Sequence, residues 1–199
     1  AILRKLDELG IDDNTLLVFI GDHGSHMKGS LFDTDGVNVP CLMRWPNGIR
    51  AGTECNELIQ NIDFVPTFFD LAGAEVPEEY AMDGRSLRPL FGRQEPLQRR
   101  GHLYFEIGCA RAVCTDDWKY IAVRYTREQI EAIQDSALED LPRRMSYFQR
   151  SGIGIRGSSN PNFFDSDQLY NLKRDPGEQK NLAGDPKYRS QLARMRRTL

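Results

Sequence analysis

The sequence lacks several features that would assign a protein to a class at once. Its apolar runs fall far short of the ~20 residues that a membrane-spanning helix requires, and its first residues do not form a secretory leader. Its 4 cysteines include no C-x-x-C pair of the kind found in zinc sites. Its formal net charge is only −3, and acids and bases are interspersed, so no basic footprint for nucleic acid exists. We therefore expect no membrane span and no nucleic-acid partner.

The most informative stretch is a short apolar run followed by polar side chains of different kinds. Residues 16–20 are continuously apolar, a pattern typical of a strand buried on both faces of a parallel sheet. Asp22 and His23 follow at the end where open α/β sheets bind ligands, and Lys28 comes soon after. Such a cluster can hold a metal ion and an anion together. The alternative is a plain turn, in which Asp22 caps a following helix and Gly24 supplies a permissive backbone.

Other patterns in the first half predict an α/β architecture. Apolar residues at helical spacing predict a first helix that ends at Gly10, and residues 41–45 predict a second strand. A further helix is predicted over residues 64–71, with Asp63 as its N-cap and Gly73 at its end. We interpret Asp63 as a capping residue rather than a catalytic one.

The second half predicts a small antiparallel sheet with helices. Strands are predicted over residues 102–105, 111–114, 118–123 and 169–172, and a short polar turn joins the second and third into a hairpin. Helical spacing from Ile130 ends near Pro142, and Asp185 followed by proline opens a final helix. Its basic side chains are interpreted as a solvated face.

Two polar segments bear on domain organisation and specificity. Residues 75–96 are rich in proline, glycine and charge and read as a passage between subdomains, which places the domains at residues 1–95 and 96–199. Residues 151–162 read as a linker or loop, either a surface excursion or a wall of a substrate site.

Several motifs occur in a fixed order along nearly the whole chain, apart from roughly residues 126–162. They are Asp22-His23-Gly24, Lys28-Gly29-Ser30-Leu31-Phe32-Asp33, Gly36-Val37-Asn38-Val39-Pro40, Trp45-Pro46-Asn47-Gly48, Asn61-Ile62-Asp63, Asp83-Gly84-Arg85-Ser86-Leu87, Trp118-Lys119-Tyr120, Gln168-Leu169-Tyr170-Asn171-Leu172, Asp175-Pro176-Gly177-Glu178 and Asn181-Leu182-Ala183. In this order they resemble the sulfatases of the alkaline phosphatase-like superfamily. The resemblance implies the C-terminal part of an alkaline phosphatase-like α/β domain plus a small antiparallel sheet with a helix.

The resemblance also implies roles for individual side chains. Asp22 and His23 match a pair of ligands to one divalent cation, usually calcium, which takes carboxylate oxygen readily. Many relatives carry Asn where His23 stands. Lys28 matches the lysine that binds the sulfate oxygens and neutralises charge developing on the transferred group. His26 has no counterpart, and we expect it beside the ligands or in solvent rather than in the ligand set.

The chain departs from the family pattern at two places. None of its cysteines begins the Cys/Ser-x-Pro/Ala-x-Arg motif that yields the formylglycine nucleophile, so this group is expected outside the chain. Asn38 stands where many sulfatases have Arg. Because Ala1 lies within a helical pattern without a cap, we interpret the chain as the C-terminal portion of a longer sulfatase, inactive by itself.

Two alternatives to a sulfuric ester hydrolase stay open at the sequence level. One is a phosphonate or phosphodiester hydrolase of the same superfamily, and the other is a non-catalytic, metal-binding relative. The resemblance implies a small sulfated substrate, with a carbohydrate sulfate as the class. It also implies an exported or lysosomal protein, although the sequence itself leaves the compartment open.

Overall fold

The computed structural model describes residues 1–24, 30–32, 36–77, 79–92, 99–135 and 160–199. Contacts between Cα atoms divide the chain into a first unit, Ala1–Ile20 with Pro40–Arg100, and a second unit, Gly21–Val39 with Gly101–Leu199. The boundary suggested near residue 95 stays a prediction. Across the described ranges, no helix combines the length and the apolar character needed to cross a membrane.

The first unit combines three helices with a pair of strands. The helices are α1 (Ile2–Glu8), α2 (Phe64–Ala72) and α3 (Arg88–Phe91), and the strands are β1 (Leu17–Ile20) and β2 (Cys41–Arg44). Gly10 lies just past the end of α1 and Gly73 just past the end of α2, both at positive φ, 65° and 63°. Both helix ends therefore lie where the glycines predicted them.

The prediction of a buried parallel strand at residues 16–20 was wrong. β1 pairs with β2 antiparallel, with Phe19 opposite Leu42. Their side chains are 61% and 66% exposed. An apolar run favours a strand in either direction and on either kind of sheet, so the local pattern fixed neither the partner nor the burial.

Asp63 caps the chain one turn earlier than the sequence predicted. A 3₁₀ turn, Asn61–Asp63, precedes α2, and the Asp63 carboxylate accepts a hydrogen bond from the backbone N–H of Gln60 at 2.7 Å. The same carboxylate accepts from the backbone N–H of Arg85 at 2.9 Å and from the Arg100 guanidinium. With its side chain only 1% exposed and these donors around it, Asp63 is a structural group.

The second unit is built on a four-stranded antiparallel sheet. Its strands, in spatial and chain order, are β3 (Leu103–Ile107), β4 (Ala110–Cys114), β5 (Trp118–Val123) and β6 (Asp167–Asn171). The hairpin predicted between the second and third of these is confirmed, since Cys114 pairs with Lys119 next to the turn. The helices of this unit are α4 (Arg127–Asp135) and α5 (Arg189–Thr198).

Both faces of this sheet are covered, because side chains alternate along each strand. One face packs against Leu31, Phe32 and Phe163 and includes Ile121 and Tyr170. The opposite face, which includes Val113, Tyr120 and Leu169, packs against Leu192 and Met195 of α5. The core of the second unit therefore lies on both sides of β4, β5 and β6.

Several details of the second half refine the predictions. Asp185 accepts a hydrogen bond from the backbone N–H of Lys187 and opens a 3₁₀ turn ahead of α5, as predicted. Arg196 on α5 is not simply solvated, because it pairs with Asp167 at 3.1 Å. The predicted helix end at Pro142 and most of the loop 151–162 lie outside the described residues. All four cysteines, Cys41, Cys55, Cys109 and Cys114, are free thiols.

Candidate functional site

Asp22 and His23 lie side by side in the second unit, and Gly21 separates them from Ile20, the last residue of β1. The Asp22 carboxylate oxygen Oδ2 lies 3.6 Å from His23 Nε2, and the two side chains are 86% and 39% exposed. This distance is too long for a good hydrogen bond. It suits two donor atoms that share one cation, since a hard cation such as Ca²⁺ binds its ligands at about 2.3–2.6 Å.

A backbone contact selects the tautomer of His23. Its ring Nδ1 lies 2.7 Å from the carbonyl oxygen of Gly24. Because a carbonyl oxygen only accepts hydrogen bonds, Nδ1 must carry the proton and donate it. In the neutral ring, Nε2, the atom that faces Asp22, is then the nitrogen without a proton and can bind a cation. A backbone carbonyl on the other ring nitrogen is the arrangement typical of metal-ligating histidines.

Gly24, the residue whose carbonyl contacts the His23 ring, is itself held by a second segment. Gly24 is buried, and its N–H donates to the carbonyl oxygen of Gly36 at 3.0 Å. A Cβ atom at Gly36 would lie 2.0 Å from the carbonyl oxygen of Ser30, so only glycine fits at this turn. No role was predicted for Gly36 from the sequence. Its position within a motif was the available signal, but the contact depends on residues distant in the sequence.

The structure brings together two of the four predicted site residues. Lys28 and His26 lie outside the described residues, so their predicted roles stay predictions. Asn38 is exposed. Within the described ranges no group of three or more His, Cys, Asp or Glu side chains is arranged to hold a metal ion.

The donor set of Asp22 and His23 nevertheless fits part of a divalent-cation site. It offers one carboxylate oxygen and one imidazole nitrogen, which lie 3.6 Å apart on side chains accessible from solvent. Carboxylate oxygen suits hard cations, whereas imidazole also suits transition metals. The pair can contribute two ligands, and further ligands must come from other groups.

Comparisons with known proteins identify the family. The family model described as N-sulphoglucosamine sulphohydrolase, C-terminal, matches residues 21–147, which is more than half of the chain. An ulvan-active sulfatase of Formosa agariphila is 33% identical over 196 residues, which cover 94% of this chain and 36% of that protein. The chain thus spans about a third of the length of the curated relatives that it matches.

Solved structures show the same fold. One solved protein, described as a complex with its substrate D-glucosamine-2-N,6-O-disulfate, matches this chain with a TM-score of 0.69 at 22% identity. The match covers 100% of this chain and 36% of that protein's chain. The phosphonate monoester hydrolase of Agrobacterium radiobacter matches with a TM-score of 0.67 at 22% identity, covering 99% of this chain and 36% of that chain. With the fold and the family model in agreement, this chain belongs to the sulfatases, in the family of N-sulphoglucosamine sulphohydrolase C-terminal regions.

Proposed function

We propose that the chain forms part of a sulfuric ester hydrolase in which Asp22 and His23 contribute to a divalent-cation site. The observation that carries this proposal is the geometry of the pair. His23 Nε2 lies 3.6 Å from Asp22 Oδ2, while Nδ1 lies 2.7 Å from the carbonyl oxygen of Gly24. Membership of the sulfatase family supports the reaction class, because its members include proteins described as sulfatases.

Calcium is the proposed cation. When bound, a divalent cation supplies Lewis acidity that polarises the oxygens of a sulfate ester. The part of this chain is to present the ligands: Asp22 provides negative charge, and the Gly24 carbonyl keeps the His23 ring in one orientation and tautomer. The formylglycine nucleophile of sulfatases is proposed to lie outside this chain, since no cysteine here begins the required motif.

Lys28 is the proposed sulfate-binding residue. A lysine ammonium is a compact positive charge that can neutralise negative charge on the group being transferred. Replacing Lys28 with Ala in the full-length protein should lower kcat on 4-nitrophenyl sulfate by about 10²–10³-fold, the usual loss when one such stabilising group is removed. Thermal unfolding should change little, because the expected role is electrostatic. Steady-state kinetics and a melting curve measure both.

Lys180 provides a matched control for this prediction. Its side chain is exposed, and its backbone N–H, which Ala retains, donates to Asp175 at 2.8 Å. Lys180→Ala should therefore keep wild-type kinetics. If Lys28→Ala also kept wild-type kcat, the sulfate-binding role would be wrong.

A carbohydrate sulfate is the proposed substrate class. Two relatives support it: one is described as ulvan-active, and the other was solved with a disulfated glucosamine as its substrate. The test is a comparison of kcat/KM between glucosamine 6-O-sulfate and 4-nitrophenyl sulfate. A preference for the sugar sulfate is expected, and hydrolysis of the aryl ester alone would contradict the class.

The phosphonate monoester hydrolase among the structural neighbours makes one alternative specific. It differs from a sulfatase in the group transferred, which an assay distinguishes directly. A phenyl phosphonate monoester and 4-nitrophenyl sulfate should be offered to the same preparation. Faster turnover of the phosphonate would replace the sulfatase assignment with this alternative.

A further inference from the structure

Phe32 is fully buried within the segment that also carries Asp22 and His23. Its exposed fraction is 0%. Its ring centroid lies 6.1 Å from that of Phe163 and 5.9 Å from that of Tyr170, a residue of β6. Aromatic rings at such separations make favourable tilted and edge-to-face contacts. The ring of Phe32 therefore anchors this segment to one face of the four-stranded sheet.

A chain of three hydrogen bonds connects Phe32 to His23. The N–H of Gly36 donates to the carbonyl oxygen of Phe32 at 2.9 Å, and the N–H of Gly24 donates to the carbonyl oxygen of Gly36 at 3.0 Å. The carbonyl of Gly24 then accepts the hydrogen bond from His23 Nδ1 at 2.7 Å. The orientation of the imidazole thus depends on a backbone arrangement that begins at Phe32.

This arrangement has little freedom to adjust. The N–H of Val37 also donates to the Phe32 carbonyl, at 3.1 Å, and the N–H of Phe32 donates to the hydroxyl of Ser30 at 3.2 Å. Ser30 is buried, and its carbonyl oxygen leaves no space for a Cβ at Gly36. A shift of the Phe32 backbone would disturb several of these contacts at once.

We propose that Phe32 is a positioning residue for the candidate cation site. Its packing in the second unit holds the turn at Gly36, which holds Gly24, which orients the His23 ring and keeps Nε2 toward Asp22. This proposal rests on the proposed function of Asp22 and His23. Mutation of groups that orient a metal ligand without contacting the metal typically costs about 10–100-fold in metal affinity or activity.

The test is calcium binding and turnover by the full-length protein carrying Phe32→Ala. Loss of the ring should lower both the calcium affinity and kcat on 4-nitrophenyl sulfate by about 10–100-fold, the range seen when groups that orient a ligand are removed. KM should change less, because the side chain of Phe32 is fully buried and offers no surface to a substrate. Titration calorimetry with Ca²⁺ gives the affinity, and steady-state kinetics give kcat and KM.

Two further variants separate positioning from general destabilisation. Phe32→Leu retains most of the apolar volume, so the protein should fold, and its calcium affinity should lie between those of the wild type and Phe32→Ala. Met195→Ala empties a similarly buried position, 1% exposed, on the opposite face of the same sheet. It should lower thermal stability while leaving calcium affinity and kcat unchanged at temperatures where the protein is folded.

The variants test the positioning role of Phe32 separately from the proposed function of Asp22 and His23. Wild-type calcium affinity and kcat in both Phe32 variants would overturn the positioning role, and so would an equal loss in Met195→Ala. Asp22→Asn, measured in parallel, isolates the underlying proposal. If Asp22→Asn also kept wild-type calcium affinity and kcat, the proposed function itself would be wrong.

Discussion

Asp167 is held by a group of charged and phenolic side chains on the second unit. It pairs with Arg124 and Arg196, each at 3.1 Å, and accepts a hydrogen bond from the hydroxyl of Tyr120. Burial alone would raise the pKa of Asp167. The hydrogen bonds from Tyr120 and Arg124, with the charges of Arg124 and Arg196, outweigh burial and lower that pKa. Burial and the bond to Asp167 in turn raise the pKa of Tyr120.

The lowered pKa predicts an acid-sensitive contribution to stability. A carboxyl group whose pKa is lower in the folded state stabilises the fold at pH values above its unfolded pKa, about 3.9. This contribution is lost as the pH falls through the folded pKa. Asp167→Asn should therefore melt below the wild type at pH 7, and the difference should shrink below about pH 4. Melting curves between pH 7 and pH 3 measure it.

Asp13→Asn is the control for this pH dependence, because Asp13 is an exposed carboxylate of the first unit. Its difference from the wild type should be small at every pH. A difference between Asp167→Asn and the wild type that stayed constant down to pH 3 would contradict the proposed charge network.

Among the elements, the turn after β6 is fastened to β5 by a buried ion pair. Lys119 Nζ lies 3.0 Å from Glu178 Oε1, and both side chains are 0% exposed. The ammonium also lies 5.8 Å from the centroid of the Phe105 ring. Glu178 has φ 55°, and its carbonyl accepts a hydrogen bond from Asn160 at 2.6 Å. Lys119 of the Trp-Lys-Tyr motif and Glu178 of the Asp-Pro-Gly-Glu motif thus form one structural contact.

Replacing only one member of this ion pair should destabilise the fold strongly. Lys119→Met should lower the free energy of unfolding by about 3–5 kcal/mol, because it leaves the Glu178 carboxylate buried without its counter-charge. In the double variant Lys119→Met/Glu178→Gln the loss should be smaller than the sum of the two single losses. Urea denaturation of the four proteins measures the coupling. Additive losses would show that the pair does not act as a unit.

The elements of the second half were predictable because their signals are local. The strand over residues 118–123 was predicted with its observed bounds, and the polar residues Thr115, Asp116 and Asp117 indicated the hairpin that precedes it. The role of Asp63 was less accessible, since its carboxylate binds Arg85 and Arg100, far along the chain. Local patterns give the type of an element, whereas long-range partners need the fold.

In the candidate site, too, some features follow from the local sequence and others depend on the fold. Asp22 and His23 are neighbours in sequence, so their proximity follows from the motif alone. The tautomer of His23 and the anchoring role of Phe32 depend on Gly36 and on the sheet, which no local pattern specifies. The sequence therefore suggests which residues form the candidate site but does not indicate what orients them.

At the scale of the whole molecule, the two units differ in how much apolar surface each buries. Among the described residues of the first unit, Leu87 is the one apolar side chain that is buried, while Phe19, Leu42 and Phe68 are largely exposed. The second unit buries apolar side chains on both faces of its sheet. An isolated pair of strands is only marginally stable in water, and β1 and β2 leave the face with Phe19 and Leu42 largely exposed.

Hydrogen exchange of this chain should reveal the difference. Backbone amides of β1 and β2 should exchange much faster than those of β4 and β5, because local opening is easiest where little apolar surface is buried. Exchange followed by mass spectrometry resolves these segments. Equal protection of the two pairs of strands would contradict the expected difference in local stability.

The most direct test of the central claim is the metal content of the full-length protein. Elemental analysis after extensive dialysis should find a divalent cation, expected to be calcium, bound to the wild type. The double variant Asp22→Asn/His23→Ala should lose it, because two of its ligands are gone. Comparable metal content in a correctly folded double variant would contradict the assignment of Asp22 and His23 as ligands.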